Sequence, residues 1–272
     1  MNGLEVELRI LWAVLALYLA AAAASFGGVM LGRRPERAVL ALLVLALGFL
    51  GLAIGLRWER LGHGPFITMF EVLSSNIWSL TAVFTLAYWR IRPIRPIAAI
   101  VLPMILVMLG WLLVSNPGEG FFPPTYETVW LYIHISFGKI FLGAVIVAVG
   151  LAGVILLRWA NLGGRLARMP DDRSLEELTF RFLGLGLIFD TLMLIAGAVW
   201  AQDAWGRFWA WDPLESWAFV TWILLGFALH LRVTLRPKPA VGALMACIVF
   251  VLAFLTFFGV PFLSKLPHQG AL

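Results

Sequence analysis

Between positions 200 and 217 the chain reads WAQDAWGRFWAWDPLESW, which gathers Trp200, Trp205, Trp209, Trp211 and Trp217 with Phe208, Asp203, Arg207 and Asp212. Indoles are flat, rigid and apolar, with a single N–H donor at one edge, so such an array suits a large planar apolar guest. Gly206, in its middle, lets backbone or ligand approach closely. The sequence holds four histidines, His63, His134, His230 and His268, and imidazole is the commonest metal-ligating side chain. No acid or base stands out as a catalyst. The chemistry on offer is the holding and orienting of a guest.

Two plainer readings compete. Tryptophans collect at membrane interfaces, but a belt would spread the thirteen of this chain over both interfaces, and five fall in this one stretch. Asp212, Pro213 and Glu215 also match a helix start: a cap, proline at the first helical position and an acid three residues on. Asp203, Arg207 and Asp212 could pair with one another, or Arg207 could meet a guest carboxylate; the spacing leaves both open. Trp205 and Trp209, four apart, share a face if the turn between them is helical, with Trp211 pointing elsewhere.

What positions these residues is a set of membrane helices. Of 272 residues, 62% are hydrophobic, and the mean hydropathy is +0.94, far outside globular usage. A hydrocarbon layer about 30 Å thick is crossed by roughly 20 apolar residues in a helix. Eight spans are expected, near 8–31, 38–57, 66–90, 97–115, 129–158, 179–200, 215–236 and 239–262. The chain is thus expected to be a single all-α polytopic membrane domain, 1–272. The opening residues Met1 to Glu7 lack a basic start, so the first span is read as a membrane helix and not a cleaved signal. Asp172 or Ser174 is expected to cap a helix running into the sixth span.

Lysine and arginine set the orientation. With the N-terminus outside, fourteen of the twenty fall on the cytoplasmic side, among them Arg33, Arg34, Arg37, Arg90, Arg92 and Arg95. Arg9, Arg57, Arg60, Arg207 and Lys265 fall opposite, and Lys139 lies inside a span. Both termini are therefore expected on the non-cytoplasmic side, with the 200–217 loop there too. The isoelectric point near 9.9 then follows from topology and needs no nucleic-acid partner. The single cysteine, Cys247, excludes an intramolecular thiol relay, and no phosphate-binding GxxxxGK[ST] loop is present.

This topology sorts the histidines. His134 and His268 join the tryptophan loop at the non-cytoplasmic face. His230, thirteen residues beyond Trp217, lies about 20 Å along a helix and so in the inner half of the layer; an imidazole at that depth is a functional candidate. His63 reads as a solvated loop residue. Glu71 and Asp190 are carboxylates within spans and need partners, Lys139 being the only obvious cation within a span. Two imidazoles with an aromatic floor suit haem, whose iron takes axial histidines on opposite sides. Zinc would accept the same pair, but a closed zinc site wants four ligands and this face supplies no cysteine.

The tryptophan stretch, continued as AFVTWILLGFALHLR, resembles the tryptophan-rich signature of the cytochrome c assembly family of haem-handling membrane proteins, in its CcsA or ResC branch. GHGPFITMFEVLSS, WLYIHISFGKIFLG and FFGVPFLSKLPHQG are similar to that family's early, histidine-helix and closing segments. The resemblance implies that His134 and His268 are the outer axial ligands of haem b, and that His230 is a deeper ligand for haem arriving from the cytoplasm. It implies a platform of Trp200, Trp205, Gly206, Arg207, Phe208, Trp209, Trp211, Asp212 and Trp217. It further implies attachment of haem to the CxxCH cysteines of apocytochrome c, within a cytochrome c synthase that includes a CcsB- or ResB-type partner supplying the missing inner ligand. The chain departs from the family pattern at Leu214, Met69 and Gln269, where lysine, asparagine and serine are usual. The alternatives are a CcmC-like or CcmF-like protein handing haem to a chaperone, a b-type electron-transfer subunit with permanent haem, and a transporter using the indoles as a substrate cage.

Overall fold

A computed structural model describes residues 3–64, 66–166 and 169–260. Every regular element among them is helical: α1 (Gly3–Leu31), α2 (Glu36–Leu61), α3 (Met69–Arg90), α4 (Ala98–Val114), α5 (Val129–Trp159), α6 (Asp172–Trp205), α7 (Pro213–Leu235) and α8 (Pro239–Phe254). A 3₁₀ segment, Arg92–Ile97, leads into α4, and a π-helical turn, Leu255–Gly259, continues α8. All eight helical stretches are long and apolar enough to cross a membrane. The eight-span reading therefore stands, with shifted ends. The sixth helix, expected over 179–200, runs from Asp172 to Trp205, because its cap is Asp171 and not Asp172 or Ser174. The Asp171 carboxylate accepts from the Ser174 amide, 2.7 Å away, and that bond and charge hold it below the ordinary carboxylate pKa.

The contacts gather into two compact units. The first holds residues 1–122 with 162–170. In it α1 packs on α2 and α4, and α3 packs on the same two, so four helices close a ring. Its buried charges are paired within it. Arg57, the last residue of the expected second span, is 2% exposed and lies inside α2, which runs on to Leu61. Its guanidinium donates through Nε and Nη2 to Glu71 Oε1 (3.1 and 2.9 Å). It also donates to the carbonyls of Pro117 and Gly118 (3.1 and 2.8 Å) and approaches Glu7 at 3.4 Å. Glu71 closes a capping box with Thr68 at the head of α3. Thus Lys139 is not the only cation within a span, and Glu71 has the partner its burial demands. His63 is half-buried, stacked on Phe122 with centroids 5.0 Å apart, so it is not simply solvated.

The second unit holds residues 123–161 and 171–272. Here α5 packs on α6 and α8, α7 packs on α6 and α8, and α6 also meets α8. Between Phe141 and Ala152 every residue of α5 is buried. A helix apolar and buried all round is the hub of its unit, and the small residues Gly143, Ala144, Ala148, Gly150 and Ala152 let its neighbours approach closely.

Candidate functional site

The helix α6 builds one wall of the site. Its buried stripe runs Gly186, Asp190, Met193, Ala196, Trp200, spacings of three and four that line up one face. Near the start of α5, His134 meets this stripe. Its Nδ1 lies 2.8 Å from the Met193 carbonyl oxygen; a carbonyl only accepts, so Nδ1 carries a proton, and in the neutral ring Nε2 keeps the lone pair. The ring lies nearly parallel to Trp200, 15° apart, with centroids at 6.1 Å. Gly197 makes the approach possible: a Cβ there would fall 2.7 Å from His134 Nδ1. The imidazole is thus held by a hydrogen bond, an aromatic face and a missing side chain.

Trp200 is buried, its Nε1 donating to the Tyr126 carbonyl at 3.2 Å. Tyr126 crosses Trp200 and Trp205 edge-on, at 5.2 and 5.9 Å, and Trp205 crosses Trp200 at 4.9 Å. Burial raises the Tyr126 phenol above its ordinary pKa. One aromatic group therefore forms around His134. Helix α6 then stops: Gly206 takes the left-handed conformation, φ +79°, with its N–H bonded to the Gln202 carbonyl. The helical turn that would have aligned Trp205 with Trp209 does not exist, because Gly206 caps the helix between them. The expectation of a shared face is corrected accordingly.

Beyond the cap Arg207 and Phe208 are exposed, and Arg207 makes no ion pair among the described residues. A second aromatic group follows. Trp209 crosses Trp211 (5.6 Å) and Phe219 (6.3 Å), Trp211 crosses Phe219 (6.0 Å), and Phe219 stacks on Trp222 at 5.8 Å. Trp222 is fixed by its N–H to Thr191 Oγ1, 2.8 Å. The Trp209 Nε1 is buried without a hydrogen-bond partner among the described residues. Trp211 has φ +59° and is 68% exposed. Trp217 is exposed on α7, its carbonyl accepting from Thr221.

Asp212 does what its sequence setting suggests: its side chain accepts from the Glu215 amide at 2.9 Å, with Pro213 first in α7. Glu215 departs from a reciprocal box, accepting instead from the Ala210 amide at 2.7 Å and so tying the loop to the helix. His230 is exposed on α7, with Thr234 Oγ1 3.4 Å from its Nε2. His268 lies outside the described residues. Asp190 is fully buried, with no hydrogen-bond partner at either oxygen among the described residues.

The structure adds Tyr126, Met193, Gly197 and Phe219. Nothing in the sequence marks Met193, whose part is a backbone carbonyl. Gly197 and Phe219 carry a faint signal, each lying three residues from a tryptophan along a helix.

Similarity to known proteins fits this arrangement. The profile of the family described as Cytochrome C assembly protein matches residues 38–268. The chain is 28% identical over 220 residues to the cytochrome c biogenesis protein CcsA of Chlamydomonas reinhardtii, covering 78% of this chain and 62% of that one. It is 29% identical over 251 residues to CcsA of Guillardia theta, covering 83% of each, and 27% identical over 269 residues to CcsA of Microcystis aeruginosa, covering 79% and 82%. Among solved structures, the cytochrome c heme lyase CcmF shares the fold, with a TM-score of 0.72 at 17% identity. The match covers 95% of this chain and 47% of that one, so this chain spans about half the length of CcmF. A family profile spanning most of the chain, on eight membrane-crossing helices, makes this multi-pass membrane protein a CcsA-type member of the cytochrome c assembly family, and its work cytochrome c biogenesis.

Proposed function

We propose that the protein binds haem b as a substrate at its tryptophan-rich face and presents it for thioether attachment to apocytochrome c. The observation that carries this reading is the preset imidazole of His134. Its protonated Nδ1 is bonded to the Met193 carbonyl, which aims the basic Nε2 as a metal ligand and fixes the ring against rotation. Trp200 and Trp205 offer apolar walls beside it, and the Trp209 N–H is a buried donor suited to a porphyrin carboxylate. His268 is the second axial ligand in this proposal.

The 200–217 loop lies on the non-cytoplasmic side in this reading, and both termini with it. His230 ligates haem on its way from the cytoplasm. Because its side chain is exposed on α7, a second membrane protein of the CcsB type can reach the same iron and supply the opposite ligand. At the outer site each CxxCH thiol adds across a haem vinyl, S to carbon and H to the neighbouring carbon, so the addition consumes no further reagent. The chain contributes proximity and orientation, which are worth several kcal/mol. Bis-imidazole ligation closes the iron to other ligands meanwhile.

The test is His134→Gly in the full protein purified with its partner. The Soret band is expected to weaken and cytochrome c yield to fall at least about tenfold, with added imidazole restoring part of both, since a freed ligand position accepts the free base. An unchanged spectrum and yield would remove the proposal's main support.

A further inference from the structure

The first unit holds a cleft of ≈ 430 Å³ where the end of α1, the turn into α2 and the α3–α4 connection meet. Its charge is unbalanced. Arg33, Arg34, Arg92 and Arg95 line it against one acid, Glu36. Arg95 is spent on the wall: it pairs with Glu36, donates through Nε to the Tyr88 carbonyl at 3.0 Å and lies over the Tyr88 ring at 5.4 Å. Tyr88 in turn donates to the Glu36 carbonyl. Arg33, Arg34 and Arg92 are exposed and form no ion pair among the described residues.

The wall is rigid as well as charged. A Cβ on Gly28 would strike the Pro35 ring at 2.6 Å, so α1 and the turn after it are in close contact. A second cleft shares Arg34, Arg92 and Arg95 and extends to Arg37 and the exposed indole of Trp89. Behind the arginines the lining is apolar, with Val29, Val39, Leu166 and Met169. On the adjoining turns of α1, Phe26 and Leu31 face outward. Three uncommitted guanidiniums thus stand at a membrane boundary, over an apolar floor that runs onto lipid-facing helix. Such a surface matches a molecule with a phosphate at one end and hydrocarbon at the other.

We infer that this arginine cleft binds the phosphodiester headgroup of an anionic phospholipid, through Arg33, Arg34 and Arg92, with the acyl chains laid along α1 and α2. A free phosphate would satisfy the guanidiniums and leave the apolar floor wet; a zwitterionic lipid would bring its own cation against them. The site is distinct from the tryptophan loop and does not depend on the haem proposal.

Native mass spectrometry of the full protein, released from bilayers of phosphatidylglycerol mixed with phosphatidylcholine, reads the site directly. Wild type is expected to retain phosphatidylglycerol selectively, and Arg33→Gln/Arg34→Gln/Arg92→Gln to retain at least about tenfold less. The triple lysine variant should keep most of the retention, which separates lost charge from lost fold; helix content by circular dichroism should match in all three. Equal retention in the glutamine variant overturns the inference. So does protection of the wild type by inorganic phosphate equal to that by lipid, which would assign the cleft to a free anion. Loss of haem loading with unchanged lipid retention would assign it to porphyrin carboxylates and overturn it likewise.

Discussion

The two units treat their buried polar groups differently. In the first, Arg57 is surrounded by Glu71, Glu7 and two carbonyls, and Thr68 closes a capping box on Glu71. In the second, more polar atoms are left open among the described residues: Asp190 on α6 has no partner at either oxygen, and Trp209, in the loop beyond Gly206, none at its N–H, whereas in the first only Thr85 Oγ1 is so left. Buried polar atoms are nearly always paired, and an unpaired one costs about 1–3 kcal/mol. A closed network spends its donors on the fold, whereas an open one keeps them for something that arrives. On the proposed function, the first unit is the brace and the second the handler.

The largest effect that tests this division is Arg57→Ala. It leaves Glu71 buried without its cation, while Glu7 keeps Arg60, and breaking a buried pair costs about 3–5 kcal/mol. The expected outcome is loss of protein from the membrane and a lower unfolding midpoint in detergent, with cytochrome c yield falling only as protein does. Normal accumulation with defective maturation would erase the distinction between brace and handler.

Next is Gly197→Ala. Alanine is the better helix former by roughly 1 kcal/mol, so α6 should not suffer. The new Cβ, however, would lie 2.7 Å from His134 Nδ1 and 2.8 Å from Cε1, and the imidazole must leave its bond to Met193. Protein abundance is expected to hold while the Soret band and cytochrome c yield drop about tenfold, since a displacement of this kind at a binding site is worth 1.4 kcal/mol or more. Intact yield at intact abundance would show that the orientation of His134 is incidental.

How far the sequence could have told all this depends on the kind of information each feature carries. The helices follow from apolar run length, which the bilayer dictates, so all eight appear in the sequence. Asp212 and Pro213 are local signals and were readable, because a cap is decided within four residues. The tryptophans were readable as a cluster but not as two groups: the split depends on Gly206 adopting φ +79°, and a glycine's sequence setting leaves that choice open. The His134 proton bond goes to a backbone carbonyl fifty-nine residues away, and every residue has a carbonyl, so no residue type could reveal it. The burial of Arg57 was hidden for a related reason: its carboxylates, Glu71 and Glu7, lie on other helices.

A smaller effect is expected at Asp212, whose carboxylate accepts from the Glu215 amide. Asp212→Asn keeps an acceptor and should be nearly neutral in stability, while Asp212→Ala should cost about 1 kcal/mol of unfolding stability, read as a lower thermal midpoint of the purified protein. If asparagine preserves stability yet impairs maturation, the negative charge serves the guest and not the helix. That result would move Asp212 from scaffold to site.

The smallest effect has the opposite sign and is the sharpest for the handler side. Trp211 combines a backbone of φ +59° with a side chain 68% exposed. A left-handed conformation costs a bulky residue roughly 1–2 kcal/mol, and glycine almost nothing. Against that, the ring gains only edge contacts to Trp209 and Phe219, each worth about 0.5–1.5 kcal/mol. The two nearly cancel, so Trp211→Gly should change unfolding stability by less than about 1 kcal/mol, and upward if the backbone cost prevails. On the proposed function, a residue with so little to do for the fold, held in a conformation it disfavours and pushed into the open, is one that contacts the guest. Trp211→Gly is accordingly expected to lower cytochrome c yield several-fold at unchanged abundance. A clear loss of stability with normal yield would make Trp211 part of the brace and leave the second unit without its most exposed aromatic surface.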